Sequence, residues 1–132
     1  MIENGVRIIG NVVYGKNFSA CAPAEFMAKD SSIIIGDDCD FAAFVTISTA
    51  DSHKRCLKLS DKIERKPIIL GDRVFIGTGA VILGGTELGH DCVIGANVVL
   101  KNAKIPPYSR VKVATPIIEE GYFVSKREKQ LR

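Results

Sequence analysis

Two histidines are present in this chain of 132 residues, and they stand in different surroundings. His53 belongs to "ADSHKRC", and His90 belongs to "LGHDC". Histidine gains and loses a proton near neutral pH, so a histidine that lies in a cleft can serve as a general base. Asp51 and Ser52 could orient the imidazole or a bound substrate, and they suit a turn at the end of a strand equally well.

A six-residue repeat surrounds these histidines and must position them. From Leu70 the chain reads "LGDRVF", "IGTGAV", "ILGGTE", "LGHDCV" and "IGANVV", and the same phase begins earlier at Ile35 and Phe41. Each block from Leu70 begins with Leu or Ile, and glycine usually follows. The fifth position is small or β-branched, as in Val74, Ala80, Thr86, Cys92 and Val98.

This period predicts a solenoid of short strands. A period of six fits neither a helix face nor the alternation of a strand. It fits a stacked coil in which each strand buries its first and fifth side chains, with glycine in the turn after the first. An ordinary β-sandwich would not keep this phase over five consecutive blocks. The stretch from Ile47 to Pro67, "ISTADSHKRCLKLSDKIERKP", interrupts the repeat and carries His53.

The repeat resembles that of the hexapeptide-repeat acyltransferases over roughly residues 5 to 116, most strongly from Ile35 to Pro107. The resemblance implies an all-β fold, a left-handed parallel β-helix with a protruding loop at about 51–66. The tail "SKREKQLR" predicts a short C-terminal helix. We expect one domain over residues 1–132, with an irregular capping coil at about 1–20, where the hexad phase slips, and a tail at about 117–132.

His53 stands where this family carries its catalytic histidine, at the exit from a strand into the loop. The motif "DSH" at this position resembles that of the O-acetyltransferases of sugars and polysaccharides. The resemblance implies direct transfer of an acetyl group from acetyl-CoA to a carbohydrate hydroxyl, with His53 as general base and a backbone N–H that stabilises the oxyanion. Asp51 and Glu25 complete the predicted catalytic set. Related enzymes bind the acceptor with polar residues from the coil to which Glu25 would belong.

The resemblance also implies that acetyl-CoA lies between neighbouring subunits of a homotrimer. The positions that match its pantetheine contacts are Thr78, Gly95 and Ala96, whose small size lets the thin arm approach the main chain. Lys101 or Lys104 would meet the nucleotide end. Here the chain departs from the family pattern, because "LKNAKIPPY" is two residues longer than usual and "ATPII" replaces the common Gly-Asn-Pro-Ala-Lys.

Composition excludes several other classes of protein. The formal net charge of +3 is too small to indicate nucleic-acid binding, and much of the excess lies in the tail. No apolar run approaches the ~20 residues that span a bilayer, and "MIENGVR" is unlike a secretory signal. The cysteines form no CxxC pair, and Cys39 and Cys92 occupy fifth positions as small hydrophobes. We therefore expect a cytoplasmic protein with no integral membrane segment.

Two alternative functions stay open at this point. The same fold and cofactor could serve an N-acetyltransferase that acts on a free or nucleotide-linked amino sugar, or the β-helix could be a non-catalytic scaffold. The γ-class carbonic anhydrases also resemble this solenoid, but they bind zinc through three histidines and this chain has two. His90, at a third hexad position that generally points outward, is interpreted as structural or solvated, and no metal is expected.

Overall fold

The computed structural model describes residues 1–131, which form a solenoid of fifteen short strands and two helices. Strands pair in parallel with the strand one coil away, so the sheets run along the axis of the stack. The exception among the described residues is one antiparallel pair in a loop. The three sets of stacked strands form the three faces of a prism, and about five coils are stacked.

Within each coil the chain passes through the first face, then the second and then the third. The first face holds the beginnings of β1 (Arg7–Tyr14) and β3 (Glu25–Ile35), then β5 (Thr46–Ser48), β10 (Val81–Leu83) and β13 (Val99–Leu100). The second holds the ends of β1 and β3, then β8 (Ile68–Leu70), β11 (Glu87–Leu88) and β14 (Lys104–Ile105). The third holds β2 (Ser19–Ala20), β4 (Asp40–Phe41), β9 (Val74–Ile76), β12 (Cys92–Ile94) and β15 (Arg110–Val111).

The hydrophobic core runs through the centre of the stack. On the first face Phe26, Ile47 and Ile82 lie in register in successive coils, and all three are fully buried. The predicted burial of first and fifth hexad positions is confirmed from Leu70 to Val98. Cys39 and Cys92 are buried as well. Each coil therefore supplies one layer of apolar side chains, and the hexad phase keeps those layers aligned.

Glycine at the second hexad position is required by the close approach of adjacent coils. A Cβ on Gly71 would lie 2.7 Å from the backbone nitrogen of His90, and one on Gly77 would lie 2.7 Å from that of Ala96. The left-handed backbone instead falls at the fourth position, for example at Arg73 (φ 54°). Glycine therefore keeps the coils close together at the corners, and the fourth residue makes the turn.

The interrupting stretch forms a loop at the corner between the first and second faces. It comprises β6 (Ala50–Asp51), the one-turn helix α1 (His53–Cys56) and β7 (Glu64–Arg65). β6 and β7 pair antiparallel, with Ala50 opposite Arg65 and Asp51 opposite Glu64. The chain thus leaves the third coil and returns beside its own exit, and the predicted protruding loop is confirmed.

The two ends of the stack differ from its middle. β1 pairs with β3 through a register shift between Gly10 and Asn11, where the hexad phase slips in the sequence. At the other end α2 (Val124–Leu131) is the predicted C-terminal helix. The segment before it exposes Ile117, Ile118 and Phe123. Neither helix of the described chain is long and apolar enough to cross a membrane.

Candidate active site

A pocket of about 380 Å³ lies where the loop leaves the prism. Its walls come from the two strands of the loop and from the turns of the fourth and fifth coils. The lining residues are Thr49, Ala50, Asp51, Ser52, His53, Glu64, Lys66, Leu83, Gly84, Lys101 and Asn102. The interruption of the repeat therefore creates a concave surface beside an otherwise regular corner.

His53 and Asp51 form a hydrogen-bonded pair in this pocket. The His53 backbone N–H donates to Asp51 Oδ1 at 3.0 Å, and His53 Nδ1 lies 2.6 Å from the same oxygen. An ionised carboxylate only accepts hydrogen bonds, so when the imidazole is neutral its one N–H is at Nδ1 and its lone pair is at Nε2. The His53 side chain is 52% exposed, so Nε2 remains accessible.

Asp51 is bound from its other side by Lys101, whose Nζ donates to Oδ2. This hydrogen bond, followed by those from the His53 backbone and ring, holds the pKa of Asp51 well below its usual range. Asp51 is therefore ionised throughout the neutral range. Lys101, Asp51 and His53 form one continuous chain of side chains.

The pocket wall opposite His53 contains two charged residues that the sequence motifs do not identify, Glu64 and Lys66. Glu64 forms an ion pair with Lys54 of α1, with a separation of 2.6 Å. Their hydrogen bond raises the pKa of Lys54 and lowers that of Glu64. Lys66 Nζ donates to Asn102 Oδ1 at 3.4 Å. One signal could have located Glu64: a loop that returns beside its own exit must place residues just before Pro67 opposite those just after Thr49.

Glu25 does not line this pocket. It begins β3 on the outer side of the first face, in register with Thr46, and its carboxylate accepts a hydrogen bond from Arg7 at 3.3 Å. The pocket lies higher in the stack, at the corner after this face. The structure thus brings together His53 and Asp51 of the predicted catalytic set, and Glu25 lies apart from them.

The predicted cofactor-binding residues lie at three places in the structure. Thr78, Gly95 and Ala96 occupy the corner between the third and first faces, where the Thr78 carbonyl accepts the Asn97 N–H at 3.0 Å. Thr78 and Ala96 are exposed there, so an extended ligand could approach the backbone of two consecutive coils. Lys101 lies in the His53 pocket. Lys104 lies on the second face, bonded to the Gly85 carbonyl at 2.9 Å and 3.4 Å from Glu87.

His90 lies at a regular corner between the second and third faces. Its Nδ1 is 2.7 Å from Asp91 Oδ2, and Arg73 donates to both oxygens of that carboxylate at 2.9 Å. The Tyr108 ring meets the imidazole edge-on, with centroids 4.9 Å apart. Among residues 1–131 no group of three or more His, Cys, Asp or Glu side chains is placed to hold a metal ion.

Comparison with known proteins places this fold in one class, the left-handed parallel β-helices. Residues 67–102 match the family model described as the hexapeptide repeat of succinyl-transferase. The maltose O-acetyltransferase of Clostridium difficile has a similar structure, with a TM-score of 0.66 and 30% identity over 90% of this chain and 68% of that one. The chain therefore belongs to the hexapeptide-repeat acyltransferase family, as its repeat predicts.

Curated relatives match a large part of the chain. The acyl-[acyl-carrier-protein]–UDP-N-acetylglucosamine O-acyltransferase of Campylobacter concisus is 30% identical over 88% of this chain and 45% of its own length. The galactoside O-acetyltransferase of Escherichia coli is 34% identical over 74% of this chain and 47% of its own length. The chain thus spans less than half of the length of each of these relatives.

Proposed function

We propose that this protein transfers an acetyl group from acetyl-CoA to the hydroxyl of a sugar or polysaccharide. Family membership and the two relatives named as sugar O-acetyltransferases support this reaction class. The observation that carries the proposal is the His53–Asp51 pair, which leaves Nε2 of an accessible imidazole free to accept a proton inside a pocket.

In this mechanism Asp51 holds the ring so that Nδ1 donates to it and Nε2 faces the acceptor. Nε2 takes the proton of the acceptor hydroxyl as the oxygen attacks the thioester carbonyl. Collapse of the tetrahedral intermediate breaks the C–S bond, and the imidazolium returns its proton to the coenzyme A sulfur. The acetyl group passes directly to the acceptor, without an acyl-enzyme. The pair thus serves as a base first and as an acid second.

Acetyl-CoA would be held between subunits of a homotrimer. Within one subunit, Thr78, Gly95 and Ala96 lie at a different corner of the prism from His53. A three-fold assembly that packs one corner against the next subunit would combine both groups in one cleft. Light scattering should then give the mass of a trimer.

Co-expression of two inactive variants tests the shared cleft more directly. His53→Ala removes the base, and Ala96→Trp blocks the corner proposed for the pantetheine arm. Mixed trimers should regain turnover, because some clefts combine an intact His53 with an intact Ala96 from the neighbour. Each variant must fold, His53→Ala must still bind acetyl-CoA, and Ala96→Trp must still bind the acceptor. If mixed trimers of two such variants never regain turnover, an active site between subunits is contradicted.

Release of free coenzyme A, measured against a panel of hydroxyl and amino sugars, tests the reaction itself. His53→Ala should lower turnover by ~10²–10⁴-fold, the usual cost of removing a general base. The matched control is His90→Ala, which removes the other histidine and should leave turnover near normal. Near-normal turnover in His53→Ala would refute the proposed base. Turnover with amino sugars alone would favour the N-acetyltransferase, and failure to bind acetyl-CoA would favour the scaffold.

A further inference from the structure

Lys101 spans the distance between the fifth coil and the loop of the third. β10 and β13 pair with Ile82 opposite Leu100, so Lys101 follows Leu100 as Leu83 follows Ile82. Its side chain runs along the corner to Asp51, fifty positions earlier in the sequence, and its Nζ donates to Asp51 Oδ2. The Lys101 side chain is 45% exposed, whereas that of Asp51 is 24% exposed.

The two oxygens of Asp51 are divided between two partners. Oδ1 receives the backbone N–H and ring Nδ1 of His53, and Oδ2 receives Lys101. We infer that Lys101 is a positioning residue for the reaction: it fixes the rotation of the Asp51 carboxylate so that Oδ1 faces His53 Nδ1. This inference rests on the proposed function of His53 as base. Lys104, the other lysine predicted to meet the nucleotide end, makes no such contact within the described chain.

The charges around His53 determine what Lys101 does to the base. Asp51 faces the ring from β6, Lys66 lines the pocket beyond β7, and Lys54 of α1 is paired with Glu64 of β7. Lys101 enters from the fifth coil. An unpaired Asp51 would stabilise the imidazolium form and so reduce the fraction of free base. The ammonium group of Lys101 binds the other oxygen of that carboxylate and offsets part of its negative charge.

NMR titration of the two histidines tests this coupling without any substrate. In Lys101→Met the protonation midpoint of the His53 ring should move to higher pH, because one positive charge has been removed beside it. Lys101→Arg should restore the wild-type midpoint. Lys104→Met removes the same charge from the second face and should leave the midpoint unchanged. Comparison with a His90→Gln spectrum assigns the two signals. An unmoved midpoint in Lys101→Met would overturn the inference.

Steady-state kinetics separates this role from contact with the nucleotide end of acetyl-CoA. For Lys101→Met we expect kcat on the acid limb of the pH profile to fall by the factor that the NMR midpoint shift gives, about tenfold for each pH unit, with KM for acetyl-CoA unchanged. The limb of the pH profile should move with the NMR midpoint. A raised KM with an intact kcat would instead assign Lys101 to the nucleotide end. If His53→Ala keeps its turnover, the proposed function fails even where the titration shows the coupling.

Discussion

Two corners of this β-helix contain nearly the same set of side chains. In each, a half-exposed histidine has its Nδ1 within hydrogen-bonding distance of an aspartate, at 2.6 Å for His53–Asp51 and 2.7 Å for His90–Asp91. In each, a cation from another coil binds the same carboxylate. Lys101 binds Asp51, and Arg73 binds Asp91. A histidine, an aspartate and a cation therefore do not by themselves define an active site.

The surroundings of the two histidines make the difference. His53 lies in the loop that leaves the prism, where it begins α1, and its side chain lines the pocket between that loop and the next coils. His90 belongs to an unbroken hexad, and the ring of Tyr108 packs against it. Arg73 holds Asp91 through two parallel hydrogen bonds, which suits an ion pair that joins two coils. The break in the repeat supplies the space that a substrate needs.

Replacing each aspartate by asparagine should give the largest contrast between the corners. In Asp51→Asn the amide oxygen would accept from Lys101, so the amide NH₂ would face His53 Nδ1 and favour the wrong tautomer. We expect turnover to fall by ~10²–10⁴-fold, as when a base loses its orienting carboxylate. Asp91→Asn should leave kcat/KM near the wild-type value. The measurement is coenzyme A release with the best acceptor from the sugar panel.

A melting curve for each aspartate variant is the necessary control. Both should remain folded, since neither carboxylate belongs to the apolar core. Equal losses of turnover in two folded variants would mean that the corners are functionally equivalent. That result would remove the reason for placing the reaction at His53.

The sequence predicts the fold in detail because the core repeats. Each hexad buries its first and fifth residues in the core, so Leu70 and Val74 indicate the same strand and the same burial pattern as Ile94 and Val98. The reason for glycine was only partly visible, because the clash at Gly71 involves a backbone atom of the next coil, nineteen residues away. That contact depends on how closely the coils stack, and the hexad pattern does not state this spacing.

The site was predictable where it is local and not where it depends on long side chains. His53 and Asp51 are two residues apart, and the motif identifies both. Lys101 reaches Asp51 from two coils above, and many rotamers of a lysine at that position would point elsewhere. The resemblance includes Glu25 in the predicted catalytic set, but the hexad phase is irregular around its coil, and its carboxylate lies beside Arg7 on the first face. The catalytic role of each residue stays a prediction.

A second contrast uses the glycines beneath the two corners. A Cβ at Gly84 would lie 2.8 Å from the Thr49 carbonyl oxygen, and one at Gly71 would lie 2.7 Å from the His90 nitrogen. Gly84→Ala and Gly71→Ala should each lower the free energy of unfolding by about 1–3 kcal/mol, the usual cost of overpacking. Thermal melts and urea unfolding measure this cost.

Only the alanine at Gly84 should also affect turnover. Thr49 and Lys66 line the pocket, and the added Cβ would displace their backbone. Misplacement of this kind should lower kcat/KM by ~10- to 100-fold. Gly71→Ala is matched in size and also crowds a backbone atom, and it should keep its turnover when assayed well below its melting temperature. A loss at Gly71 equal to that at Gly84 would show that the corners are mechanically coupled.

The smallest effect concerns the stability that the His90 corner gives in acid. Hydrogen bonds from Arg73 first, and then from His90, lower the pKa of Asp91 from 3.8 to about 2. A carboxyl group whose pKa is lower in the folded chain than in the unfolded chain stabilises the fold fully when the pH is above its unfolded pKa. That stabilisation is lost as the pH falls through its folded pKa. The difference in unfolding free energy between wild type and Asp91→Asn should therefore have its full value well above pH 3.8, shrink as the pH falls below that value and be lost below about pH 2. Urea unfolding at a series of pH values measures this difference. Because both proteins keep Asp51, its own titration cancels.

A difference that stays constant down to pH 2 would mean that Asp91 contributes through packing or backbone contacts. The Arg73–Asp91 ion pair would then not be what joins the two coils at this corner.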